Sequence, residues 1–270
     1  LLVGGVISTL SEAARWAIRR AEEAEQRVRL LSDASALLVS TLDYEQTLAH
    51  VTELAVPDFA DWCAVNILEE DGTISRKSLK HRDPAGEATL MAIQQRWPVR
   101  SGSRHPLAEA IHAGEPVLMA RVTAGDQIAW TQNEEHRRLV SQLKTSSFMV
   151  VPMQGRGRVL GAIIFARCGG SEYTEDDLRL AGVLTRRAAL AIDNARLYRQ
   201  AQASEARYRS LFEGSEDAIV VLGPDGHYLD ISPATERLLG YTREEMLRKR
   251  AGDLLHRRDL WLANAQPIFE

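Results

Sequence analysis

Glu134, Glu135 and His136 stand in a row, and an acid–acid–base triplet is the kind of group that can move protons or hold a metal. Here the spacing argues against both. On a helix, residues one and two apart do not share a face, so the triplet reads as solvated polar surface. The seven histidines are scattered through the chain. None falls in an H-x-x-x-H or H-E-x-x-H spacing, so no metal site is indicated. Cys63 and Cys168 both lie in apolar, strand-like runs, without a C-x-x-C pair or a Cys/His ligand set; the reading is two buried thiols in a reducing compartment. No phosphate-binding glycine loop follows a strand. No catalytic residue emerges, and no cofactor is evident from the residues.

The elements around these residues are legible. Apolar residues make up 45% of the 270 and charged residues 26%, which is ordinary for a soluble globular chain of about two domains. A net charge of −4 gives no electrostatic argument for nucleic acid or anionic lipid. Residues 9–31 read as one helix. Its seam, Leu10, Ala14, Ala17, Ala21, Ala24, Val28 and Leu31, repeats at heptad spacing. A second helix starts near Asp43, with Gln46 completing a capping box, and stops before Pro57. Strands over 62–68 and 73–80 flank Asp71-Gly72, a strong hairpin signal. Helices over 86–97 and 133–143, a short helix before Gly114, and a strand over 117–122 follow. Two continuous apolar strands surround Gly155-Arg156-Gly157, so both faces of their sheet should be covered.

Thr174 and Asp177 open a helix that runs without Gly or Pro to about residue 212, on the order of 55 Å at about 1.5 Å per residue. It carries two stripes. Leu184, Ala188, Ala191, Ala195 and Tyr198 form one. Leu190, Asn194, Leu197, Ala201, Ser204, Tyr208 and Leu211 form the other, again at heptad spacing. One stripe can bury against the helix's own sheet and the other against a second copy, with Asn194 suited to fixing register in a parallel dimer. A single-stripe helix packed on the next domain is the alternative. The tail, 217–247, repeats hairpin and helices in miniature: Pro224-Asp225-Gly226 between strands, Ser232-Pro233 as cap and first turn, Gly240 as stop, and Thr242/Glu245 as a capping box. The fold class is α+β with antiparallel sheets.

The segments LAVPDFADWCAVNILEEDG, AIHAGEPVLM, FMVVPMQGRGRVLGAIIFA and YTEDDLRLAGVLTRRAALAIDNARLY, in that order, resemble a GAF domain over 29–200. YRSLFEGSEDAIVVLGPDGHYLDISPATERLLGYTREEML resembles the first half of a PAS domain over 204–270, the second half being expected beyond Glu270; Ser232 stands where that family often has Asn. The expected organisation is an N-terminal signalling helix (1–28), an antiparallel-sheet GAF domain with flanking helices ending in a long helix (29–200), a helical linker (191–212) and a partial PAS domain (204–270). The order resembles the input half of bacterial sensor histidine kinases. That implies a non-catalytic, cytoplasmic, homodimeric module that relays a signal to a C-terminal output domain of the same chain. Input modules of metal-dependent serine phosphatases or diguanylate cyclases, or a scaffold without a ligand, are the alternatives.

The phosphoacceptor histidine and nucleotide-binding domain of a kinase are not in this stretch. GGSEY at 169–173 is similar to the diguanylate cyclase signature but has Ser171 at an acidic position, and reads as a turn. The bilin Cys–His pair, the cyclic-nucleotide set and the flavin-reactive Gly-x-Asn-Cys run are not evident. The resemblance implies a small-molecule pocket, with Trp97, Met119 and Trp130 as candidate lining; core packing is the plainer reading of the three. His105 and His112 flank a short helix beside that pocket, as haem ligands or as ordinary core and surface histidines. The chain is expected to be a piece of a longer protein. Its opening LLVGGVIS is either the cytoplasmic end of a membrane helix, with Arg15, Arg19 and Arg20 after it, or an apolar start without that role.

Overall fold

A computed structural model describes residues 43–254 and, before them, 32–34, 37 and 41. The N-terminal seam from Leu10 to Leu31 lies outside the described residues. The chain divides into two compact units between Arg199 and Gln200.

The first unit is built on a five-stranded antiparallel sheet of order β2-β1-β5-β4-β3. Its strands are β1 (Trp62–Leu68), β2 (Ile74–His81), β3 (Val117–Met119), β4 (Thr145–Gly155) and β5 (Arg158–Cys168). Side chains alternate across a strand, and here both faces are apolar. Cys63, Val65, Ile67, Met149, Val151, Ile163 and Phe165 enter one core, under α1 (Tyr44–Ala55) and the start of α6 (Glu175–Glu213). Trp62, Ala64, Phe148, Val150, Ala162 and Ile164 enter the other. That second face is covered by α2 (Pro84–Arg96), α3 (Pro106–Ala113), α4 (Ala124–Trp130) and α5 (Glu134–Gln142). β2 is an edge strand, and Lys77 and Lys80 on its exposed positions discourage pairing with another chain.

Local chemistry explains most boundaries. Asp43 caps α1 by accepting from Gln46 N. The reciprocal half of the expected box is absent, because the Gln46 side chain accepts from Thr41 Oγ1 instead. Thr174 and Asp177 exchange both bonds of a capping box at the start of α6. The β4–β5 turn holds Arg156 and Gly157 at φ 50° and 77°, the left-handed pair that a tight hairpin needs. The strand expected over 117–122 ends at Met119. Beyond it Arg121 turns outward to pair with Glu172, and only Val122 N still reaches the β4 side, at Ser146 O.

The second unit holds the end of α6, the hairpin β6 (Val220–Leu222) and β7 (Tyr228–Ile231), α7 (Pro233–Leu239) and α8 (Arg243–Leu247). Ser232 caps α7, Gly240 ends it at φ 73°, and Thr242 with Glu245 boxes α8. Tyr228, Ile231, Met246 and Ala251 form its small core.

Candidate functional site

The second face of the large sheet is not completely filled. A cavity of about 330 Å³ lies between it and the covering helices, together with the loop after α2. Trp62, Asn66, Phe148 and Ile164 form its floor, with Ile74 and Arg76 from β2. Its walls come from Leu90 and Ile93 of α2, Leu107 of α3, Trp130 of α4 and His136 of α5. The aromatic walls are held by specific contacts. Trp62 donates from Nε1 to Thr145 Oγ1 at 3.1 Å. Trp130 meets Phe148 edge-on, with centroids 5.2 Å apart. Trp97 stacks flat on His136 at 4.6 Å.

Two histidines are fixed by capping geometry. His105 is the N-cap of α3, and its Nδ1 accepts from Leu107 N at 3.1 Å. His136 Nδ1 accepts from Gln132 N at 3.3 Å. An Nδ1 that accepts leaves the proton of the neutral ring on Nε2. Burial, and after it the charges of Arg76 and His136, pushes the His105 pKa down to about 4. Burial also lowers that of His136.

Arg76 is the unusual member. It reaches the cavity through an irregularity in β2: Val65 pairs with Ser78 but Asn66 with Arg76, leaving Lys77 as an extra residue. Such a bulge re-aims the side chains beside it, and Arg76 becomes a cross-strand partner of Asn66. Arg76 Nε donates to Asn66 Oδ1 at 3.4 Å and Nη1 to Leu90 O at 3.3 Å. Burial lowers its pKa to about 10. Among the described residues no carboxylate pairs with it. Arg100 and Arg104, both exposed, add two more cations to the lining, which contains no Asp or Glu.

Of the residues expected to line a pocket, the structure brings Trp97 and Trp130 together here and leaves Met119 outside, in the adjoining core. His105 lines the cavity; His112 is exposed and does not. The triplet 134–136 needs correcting. Glu134 and Glu135 are exposed, but His136 turns inward and is buried. Sequence reasoning missed Arg76 and Asn66. Asn66 was visible as the single polar residue in WCAVNIL; Arg76 was not, because its facing depends on the bulge. Among the described residues no cluster of His, Cys, Asp and Glu is placed to hold a metal ion, and no helix is both long and apolar enough to cross a membrane.

Helix α6 is the other candidate element. Leu184, Ala188 and Ala195 are buried and Ala191 packs against the same core. Leu190, Asn194, Ala201, Ser204, Tyr208 and Leu211 are exposed and Leu197 is half-buried. Leu190 and Leu211 are each 66% exposed, high for leucine. Three ion pairs hold α6 near the end of the first unit. Asp193, buried, pairs with Arg156 of the β4–β5 turn at 3.0 Å. Arg196 pairs with Glu70 of the β1–β2 turn at 3.3 Å, and Arg199 with Glu45 of α1 at 3.1 Å.

An antiparallel sheet with helices on both faces and a cavity on one defines an α+β class. The chain belongs to the GAF domain family, whose sequence pattern matches residues 43–192, and the pattern of the PAS domain matches residues 206–270. A methyl sulfide methyltransferase-associated sensor from Methanosarcina acetivorans is 25% identical over 137 residues, 50% of this chain and 14% of that protein. The chain thus spans about one-seventh of the length of that curated relative. The GAF domain of a phosphoenolpyruvate-protein phosphotransferase from Coxiella burnetii superposes with a TM-score of 0.52 at 17% identity, covering 66% of this chain and 98% of that one. The corresponding domain from Acinetobacter gives 0.47 at 15% identity, covering 65% and 95%.

Proposed function

We propose that this chain is the non-catalytic sensory input of a cytoplasmic, homodimeric signalling protein, a sensor histidine kinase being the preferred parent. The GAF cavity takes a small molecule, α6 carries the resulting shift to the PAS domain, and an output domain of the same chain reads it. The observation that carries this reading is the two-sided character of α6. One stripe is locked to the core below the sheet and clamped by ion pairs from two hairpin turns and from α1. The other is in heptad register and mostly exposed, with Leu190, Tyr208 and Leu211 as its large apolar members and Asn194 and Ser204 as polar ones. A continuous helix transmits a small rotation that a flexible linker would absorb. A seam containing Ala201, Ser204 and Asn194 keeps alternative packings within a few kcal/mol, as a switch requires.

The seam is tested by sedimentation. The chain is expected to be a parallel dimer at high micromolar concentration. Leu190→Asp combined with Leu211→Asp should shift it to monomer with helix content unchanged, because neither side chain contributes to a core. A wild-type chain that sediments only as monomer would defeat the relay reading.

A further inference from the structure

We propose that the cavity is built for a small aromatic carboxylate, whose carboxylate group pairs with Arg76 while its ring lies among Trp62, Trp97 and Trp130. This rests on the reading above that the cavity is a binding site, and it adds the chemistry of the occupant.

The charge argument comes first. A guanidinium taken out of water without a counter-charge is costly, and proteins ordinarily pair it. Arg76 has no such partner among the described residues, and no Asp or Glu lines the cavity. Its two protein contacts, Asn66 Oδ1 and Leu90 O, are neutral acceptors that orient it without neutralising it. The missing negative charge therefore falls to the ligand.

The geometry then selects the group. Arginine has five N–H donors in a planar fork. Nε and one Nη1 hydrogen are engaged, leaving three donors, one on Nη1 and two on Nη2, of which the Nη1–Nη2 edge presents up to two. That edge matches a planar carboxylate bidentately. One half-buried guanidinium balances one negative charge, which favours a carboxylate over a phosphate dianion. Arg100 and Arg104 are exposed and act as an attracting field at the mouth. His105, neutral with its proton on Nε2, supplies a donor that adds no second buried charge.

Size and surface set the remainder. At 330 Å³ the cavity is at the small end of the range of about 300–1,000 Å³ for ligand sites, room for one or two fused rings. Its tryptophans are braced by Thr145, Phe148 and His136, so flat faces are held ready for a flat ligand at little entropic cost.

Isothermal titration calorimetry of the whole chain tests this with benzoate and indole-3-acetate, their neutral amides, and phenyl phosphate. Saturable binding of at least one carboxylate is expected, with the matching amide at least about tenfold weaker. Arg76→Met should weaken the carboxylate at least about 30-fold while leaving the amide within about threefold. Its melting temperature without ligand should equal or exceed wild type, since an uncompensated charge has been removed. An amide that binds as well as its acid, or an Arg76→Met chain that binds the acid as wild type does, overturns the carboxylate assignment and leaves the cavity reading standing. Phenyl phosphate binding more tightly than benzoate overturns it likewise. If none of the five probes binds, the assignment and the cavity reading fall together.

Discussion

Gly161→Ala is expected to cost the first compact unit about 4 kcal/mol, a large part of the roughly 5–15 kcal/mol that keeps an ordinary domain folded. Gly161 lies in β5, which is hydrogen-bonded to β1 on one side and β4 on the other. Its φ is +151°, and a Cβ added there would stand 2.0 Å from Asn66 O and 2.8 Å from Ile67 Cα. Those are backbone atoms of a central strand, so no side chain can swing aside. Relief would require prying β1 from β5, at the place where Asn66 holds Arg76. The backbone strain of about 1–3 kcal/mol therefore adds to an overpacking cost of similar size. Gly72→Ala is the control. Gly72 also has positive φ, +81°, but nothing lies within 4 Å of its added Cβ, so only strain of about 1–2 kcal/mol is expected. Urea unfolding followed by tryptophan fluorescence measures both. Equal losses in the two variants would show that the contact with β1 has no energetic weight.

The contrast between those two glycines also shows what can be read from a sequence. Gly72 announces its turn through its neighbour Asp71, and the hairpins, the capping pairs at Thr174/Asp177 and Thr242/Glu245, and the end of α6 were legible for the same reason: each is decided within a few residues. Gly161 sits in an unbroken apolar run, and its need for a missing side chain comes from a strand almost a hundred positions earlier. The candidate site behaves like Gly161. Its tryptophans were visible as residues, but the cavity depends on how four short helices cover one sheet face. α4 escaped notice because it is only seven residues long with Gly125 inside it, although Thr123 and Asp126 mark its start with a capping pair. Arg76 could not be assigned a face without the extra residue at Lys77, since a shift of one position sends a strand's side chains to the opposite side.

Acidification is expected to destabilise the first unit through His105, in a window set by its shift. The ordinary histidine value is about 6.5, and burial, with Arg76 of β2 and His136 of α5 as the facing cations, brings the folded value to about 4. Above about pH 6.5 both states are neutral at this site and the folded state has its full stability. As pH falls toward about 4 the unfolded chain takes up a proton that the folded chain refuses, so stability declines with pH. At about 1.4 kcal/mol per unit the loss approaches about 3.5 kcal/mol at completion, and about 2 kcal/mol of it falls between about pH 7 and about pH 4.5. His136 shifts in the same direction and adds to the slope. Carboxylates titrate in the same range, so the comparison must be differential. His105→Asn retains an oxygen that can cap α3 but does not titrate. Urea unfolding of both chains at the two pH values should show wild type losing about 2 kcal/mol more than the variant. Parallel losses would mean that His105 is protonated as readily in the folded chain as in the unfolded one, and that the donor assigned to its Nε2 in a neutral ring is a second cation beside Arg76.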